Sequence, residues 1–186
     1  MGHTAFCNIL LITTKVIVSV KKLGSTSRAW LKGFHVLFTA AWVGAATCMI
    51  LIHFASNPTN GIEAHGALSA LKLIDDWIII PSAIGSMLSG LLMSWLTPWG
   101  FFKWHWVTVK WICTIAVMLF GTFFLGPWLN GMEAMSAANP QLVMQDPTFL
   151  SNRLLMSLSI GPQMILLLFM VFISVLKPWK KATTKG

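Results

Sequence analysis

The sequence predicts an all-α integral membrane protein, a four-helix bundle preceded by an amphipathic helix at the membrane surface. Three observations lead there. Only 10% of the residues are charged while 56% are hydrophobic, and soluble domains carry about 25% charged residues. Four mostly apolar windows, at about 33–54, 77–96, 106–128 and 150–176, each have the roughly 20 residues needed to cross the hydrocarbon core. The basic residues collect in alternate segments between those windows, as topology signals do.

Taken in order, residues 1–28 form an N-terminal segment. Ala5 to Val20 is apolar, but no basic residue leads into it, Lys15 interrupts it, and Lys21 and Lys22 follow it. That is the wrong order for a signal peptide, and the stretch is too short and broken to span. It reads as a helix lying on the inner membrane surface. The bundle occupies 29–177. Turn chemistry punctuates it at Asn57-Pro58 and Asn60-Gly61, at Thr97-Pro98-Trp99-Gly100, and at Asn139-Pro140. Residues 178–186 are a basic tail. Asp75 and Asp76 are placed to cap the second helix, where negative charge offsets the positive helix end.

The net charge of +8 could suggest nucleic-acid binding, but its distribution argues against that. Lys15, Lys21, Lys22, Arg28 and Lys32 precede the first window. Lys103 and Lys110 lie at the second connection, and Lys177, Lys180, Lys181 and Lys185 follow the last window. Only Lys72 and Arg153 fall on the other side, together with all five acidic residues. The positive-inside rule then puts both termini in the cytoplasm, in a multi-pass protein of the cell membrane. The tryptophans agree, with Trp30, Trp99, Trp104 and Trp179 near the inner interface and Trp77 and Trp128 near the outer one. Cys7, Cys48 and Cys113 form no C-x-x-C pair, so neither a disulfide framework nor a zinc site is expected. Small residues recur every fourth position at Ala40, Gly44 and Cys48 and at Ser82, Ser86 and Gly90. Such stripes let helix backbones approach, within a compact bundle, in a homodimer or against a partner membrane subunit.

Ionisable residues at membrane depth are expensive and so are candidates for function. His35 and His53 share a face of the first helix but lie about 27 Å apart at 1.5 Å per residue, too far for one metal ion. His105 and Lys110 fall at the depth of His35, about 140° apart around the third helix, so one of the two faces it. An imidazole there can ligate haem iron, carry protons or bind copper or zinc, or simply hydrogen-bond a neighbouring carbonyl. Lys110 either enters the bundle or snorkels to the headgroups. On the outer side stand His53, Glu63, His65, Asp75 and Asp76, with Met132, Glu133, Met135, Met144 and Asp146 in the next loop; the thioethers select Cu(I) and the carboxylates with imidazole suit other divalent metals, or the set is an ordinary polar loop. In the fourth window Pro162 kinks the helix, and Gln163 either satisfies a freed carbonyl or contacts a quinone or porphyrin edge. No Ser/His/Asp set, phosphate-binding glycine loop or paired-carboxylate hydrolase pattern is present.

The segment LKGFHVLFTAAWVGAATCMILIHF, 31–54, resembles the first core helix of the HemJ-type protoporphyrinogen oxidases and the CopD-type copper-resistance membrane proteins. The HemJ pattern H-x6-W is matched by His35 and Trp42, its later histidine loosely by His53, and its W-x3-K element by Trp106 and Lys110. Thr108 stands where that family has a histidine. The segments TPWGFFKWHWVTVKW and FGTFFLGPW also resemble an uncharacterised family of predicted four-helix integral membrane proteins, over most of 31–175. The HemJ likeness implies haem b held by His35, with Trp42 and Gln163 around it, His105 or Lys110 opposite, and Lys110 acting on a porphyrin. The implied role is redox, by electron exchange with quinone or oxidation of a porphyrin-like substrate. The CopD likeness implies copper handled at His53, His65, Met132 and Met135. A non-catalytic subunit of a larger complex is the third reading.

Overall fold

A computed structural model describes residues 23–97 and 100–177. The surface helix expected at Ala5 to Val20 and the basic tail lie outside them. Four long helices make up the fold: α1 (Ser25–Ala55), α2 (Gly61–Leu96), α3 (His105–Ala138) and α4 (Pro147–Leu176), each long and apolar enough to cross a membrane. The chain is an all-α, multi-pass bundle. At 1.5 Å per residue the helices run from about 45 Å to about 54 Å, well past the roughly 30 Å hydrocarbon core. Their apolar side chains point outward in large number, among them Leu37, Leu51, Trp77, Phe123, Leu158 and Phe172, as lipid contact requires.

The expected turns fall where the helices break, but the helices are longer than their hydropathy windows. The stretch before residue 77, expected as a connection, is helical from Gly61. Its start is fixed by Asn60, whose Oδ1 accepts from the Glu63 backbone N–H at 3.0 Å, while Glu63 Oε2 accepts from the Thr59 N–H at 2.7 Å. This reciprocal cap satisfies donors that the first turn leaves unpaired. Asp75 and Asp76 are therefore not the cap: they sit inside α2, and Lys72 ties Asp76 at 2.9 Å while also donating to Asn130 of α3 at 2.9 Å. Asp146 caps α4, accepting from the backbone N–H groups of Thr148 and Phe149. Gly61 packs directly on the Pro140 carbonyl, leaving no room for a Cβ.

Both middle helices contain one π turn, Asp75–Ile79 in α2 and Gly121–Leu125 in α3. Two residues beyond each lies a proline, Pro81 and Pro127. A proline ring clashes with the carbonyl one turn back and offers no N–H; widening the preceding turn relieves both. The turns also mark where α2 and α3 part. Toward the acidic end they pack on each other as well as on α1 and α4, and toward the basic end α2 packs on α1 and α3 on α4.

Three cores follow from this. The acidic end holds Leu71, Leu129 and Met132, all almost fully buried, with Val143, Phe149 and Met156. The middle holds Trp42, Ala83, Val117, Leu167 and Met170, and the basic end has the smaller cluster of Trp106, Val107 and Ile173. The small-residue stripe of α2 lies at the α1 interface, where Ser86 meets His35 and Thr39 and Gly90 stands beside His35. The stripe of α1 does not: Ala40, Gly44 and Cys48 are exposed.

Candidate functional site in the basic half of the bundle

Between the middle and basic-end cores the helices separate around a cavity of about 380 Å³. All four contribute. His35 and Lys32 come from α1, Ser86, Gly90 and Ser94 from α2, Trp106, Lys110 and Trp111 from α3, and Ser174 from α4, with Lys177 just after it. No acidic side chain is among the lining residues. Pockets for organic ligands typically measure about 300–1,000 Å³ and combine apolar walls with few, fixed polar groups. Trp106, Trp111, Val36, Val107 and Met93 supply the walls here.

His35 is the best-defined polar group. Its Nδ1 lies 3.1 Å from the Ser86 carbonyl oxygen and 2.9 Å from Ser89 Oγ. A carbonyl only accepts, so Nδ1 carries the proton. Ser89 is free to accept as well, since its own hydroxyl proton goes to the Gly85 carbonyl at 2.6 Å. This fixes the neutral tautomer and leaves the lone pair on Nε2. Lys110 Nζ donates to that nitrogen at 3.3 Å and to Ser174 Oγ at 2.8 Å. Lys110 thus enters the bundle. A cationic amine at this depth is costly, and the two partners offset that cost in part. Thr39 Oγ1 donates to the His35 carbonyl at 2.8 Å and lies 3.1 Å from Ser86 Oγ, extending the network along the α1–α2 seam.

The other site candidates fall elsewhere. His105, the first residue of α3, is exposed and does not line the cavity. Trp42 is 6% exposed within the middle core. Gln163 donates from Nε2 to the Val117 carbonyl at 3.3 Å, bridging α4 to α3 just before the π turn. On the acidic side, His53 Nε2 bonds Ser157 Oγ at 2.8 Å. His65 Nδ1 bonds Ser136 Oγ at 3.2 Å and faces Glu133 at 3.8 Å. These histidines thus bond different serines, and Met132, 1% exposed in the acidic-end core, lines a small pocket with His53. Among the described residues no three His, Cys, Asp or Glu side chains converge as a metal-holding group.

Serines that the sequence marks only by their small size complete the candidate site. Ser82, Ser86, Ser89 and Ser94 are all buried, and Ser86, Ser89 and Ser94 meet the site through His35 or Trp111, whose Nε1 donates to Ser94 Oγ at 3.3 Å. Their recurrence along α2 was a visible signal, but it registered as small size alone. Ser174 and the mouth lysines carry no local motif. Thr108, at the position of the HemJ histidine, spends its hydroxyl on the Phe101 and Trp104 carbonyls. No family model, curated protein or solved structure matches this chain, so the HemJ and CopD likenesses stand on the motifs quoted above.

Proposed function

We propose that the protein is a haem b-binding membrane redox protein, with the cofactor in the basic-end cavity and His35 as its axial ligand. The observation that carries this reading is the state of His35. Ligating histidines hold one ring nitrogen on a carbonyl or carboxylate, so that the tautomer and ring plane are set before the metal arrives. Ser86 and Ser89 do this for Nδ1, and Nε2 is turned to the cavity. Haem b in this position would supply one-electron chemistry exchangeable with quinone or a porphyrin-like substrate.

The residues around the cavity fit such a group. A Cβ on Gly90 would stand 3.4 Å from the edge of the His35 ring, so glycine keeps the space beside the imidazole open. Tryptophan, valine and methionine walls suit a flat macrocycle, and the basic lining suits its carboxylates. Lys110 occupies the Nε2 lone pair and must yield it. Ser174, already at 2.8 Å, holds the amine inside the bundle when it does. There Lys110 would be the residue assigned to proton movement or to the position opposite His35.

Orientation belongs to the same proposal. Arg28, Lys32, Lys103 and Lys177 cluster at one end of the bundle, and Glu63, Glu133 and Asp146 at the other. The positive-inside rule places the basic end, and with it the cavity, in the cytoplasmic leaflet of the cell membrane. The copper reading is less favoured because His53 and His65 each bond a different serine, Ser157 and Ser136, and among the described residues no three His, Cys, Asp or Glu side chains form a metal-holding group. The test is haem stoichiometry of protein purified from haem-replete cells. About one haem per chain is expected, and a haem-free, folded protein overturns the proposal.

A further inference from the structure

We propose that the amine of Lys110 captures apolar aldehydes and ketones from the bilayer as imines, in the cavity when it is free of haem. The inference stands on the surroundings of Lys110 and does not rest on the haem reading.

The hydrogen bonds around Lys110 fit a neutral amine. A serine hydroxyl has one proton, and that of Ser174 goes to the Met170 carbonyl at 2.7 Å. Ser174 Oγ therefore accepts from Lys110 at 2.8 Å. His35 Nε2 accepts as well, because the proton of the neutral ring sits on Nδ1. An amine has two N–H donors, and these two acceptors, one on α4 and one on α1, use both. Its lone pair is left over. An ammonium would bring a third N–H, for which the described residues show no acceptor. It would also call for a counter-charge. Among the described residues no carboxylate reaches Lys110, and none lines the cavity. A desolvated lysine without a counter-charge is the usual imine-forming nucleophile.

The step balances with the groups at hand. Lys110 Nζ adds to the carbonyl carbon, a C–N bond forms, and the carbonyl π pair moves to oxygen. One amine proton passes through His35 Nε2, 3.3 Å away, to that oxygen. The second follows the same route as the C–O bond breaks, so water leaves and the C=N bond remains. The carbon keeps its oxidation state, and no oxidant or reductant is needed. The walls define the carbonyl compound. Trp106, Trp111, Val107 and Met93 make the lining flat and apolar, and about 380 Å³ is room for a small multi-ring or chain ligand. Val36 and Val175 directly follow His35 and Ser174 in the chain. Both line the cavity, yet they are 55% and 73% exposed. The lining therefore runs out onto the lipid-facing surface of α1 and α4, which favours a ligand dissolved in the bilayer.

The test is reductive trapping in the full-length protein, made in haem-depleted cells and held in lipid nanodiscs. Pyrenecarboxaldehyde is the apolar probe, sodium cyanoborohydride the trap, and peptide mapping reads each lysine. At about pH 7 Lys110 is expected to be trapped at least about tenfold faster than Lys72 or Lys103. Surface lysines lose about tenfold of their free amine for each pH unit below their usual pKa of about 10.4. The ratio of Lys110 to surface trapping should therefore rise about tenfold or more between about pH 9 and about pH 7. The charged probe formylbenzenesulfonate, which stays in water, should reverse the order. His35→Gln should slow trapping at Lys110 severalfold and leave Lys72 and Lys103 unchanged. Trapping of Lys110 no faster than the surface lysines in the folded protein, or a ratio that does not change with pH, overturns the proposal. The failures are separable. A chain that takes up no haem but traps the probe at Lys110 defeats the haem reading alone, and one that binds haem through His35 but leaves Lys110 untrapped when haem-free defeats the imine alone.

Discussion

At the scale of residues, His35 and Lys110 show what a sequence can and cannot reveal. Their depth was legible, because each lies a countable number of residues from a helix start. Their meeting was not. The azimuth of Lys110 relative to α1 depends on how α3 is rotated in the bundle, and spacing within α3 says nothing of that. The tautomer of His35 depends on the Ser86 carbonyl, a backbone atom that sequence does not single out. His105, equally plausible from spacing, ends up outside because the same rotation that turns Lys110 inward turns it away. Gly90 offers a direct probe. Gly90→Leu should place its side chain beside the His35 imidazole and fill the ligand space. The fold should persist, with stability unchanged or raised by up to about 1 kcal/mol from helix propensity, while haem content falls severalfold. The ratio of Soret to protein absorbance, with a thermal melt, reads both.

At the scale of elements, the turns were legible and the helix lengths were not. Asn60-Gly61 and Asn139-Pro140 coincide with the breaks because capping and chain reversal depend on local chemistry. Hydropathy windows stop where polar residues begin, at Glu63, Lys72 and Asp75. The helix continues through them because its packing persists: Leu68 and Leu71 remain buried there. The caps carry measurable stability. Asn60→Ala should cost about 1 kcal/mol, and Asp146→Ala about 0.5–2 kcal/mol, read as lowered unfolding midpoints in detergent with no change in haem content, since both caps lie at the end away from the cavity. The π turns were not legible as such. Pro81 and Pro127 were visible, but a proline in a membrane helix can be met by a kink, a break or a wide turn, and the neighbouring helices decide which.

At the scale of the molecule, the two prolines, the two wide turns and the cavity form one chain of cause. Together the π turns let α2 and α3 pack tightly at the acidic end and part at the basic end, and the cavity lies where they part. The larger cavity thus lies toward the basic end of the bundle, and the proposed orientation puts that end in the cytoplasmic leaflet. Reporter fusions test that orientation. A fluorescent protein that matures only in the cytoplasm should be active after residue 186, and a phosphatase that works only outside should be active when inserted within 139–146. The opposite pattern would put the cavity in the outer leaflet. The most direct test of the whole account is the reduced-minus-oxidised visible spectrum of the purified protein beside its His35→Ala and His105→Ala variants. The account predicts a haem b spectrum that is lost in folded His35→Ala and kept in His105→Ala. A spectrum that survives loss of His35, or one that depends on His105 instead, would contradict it.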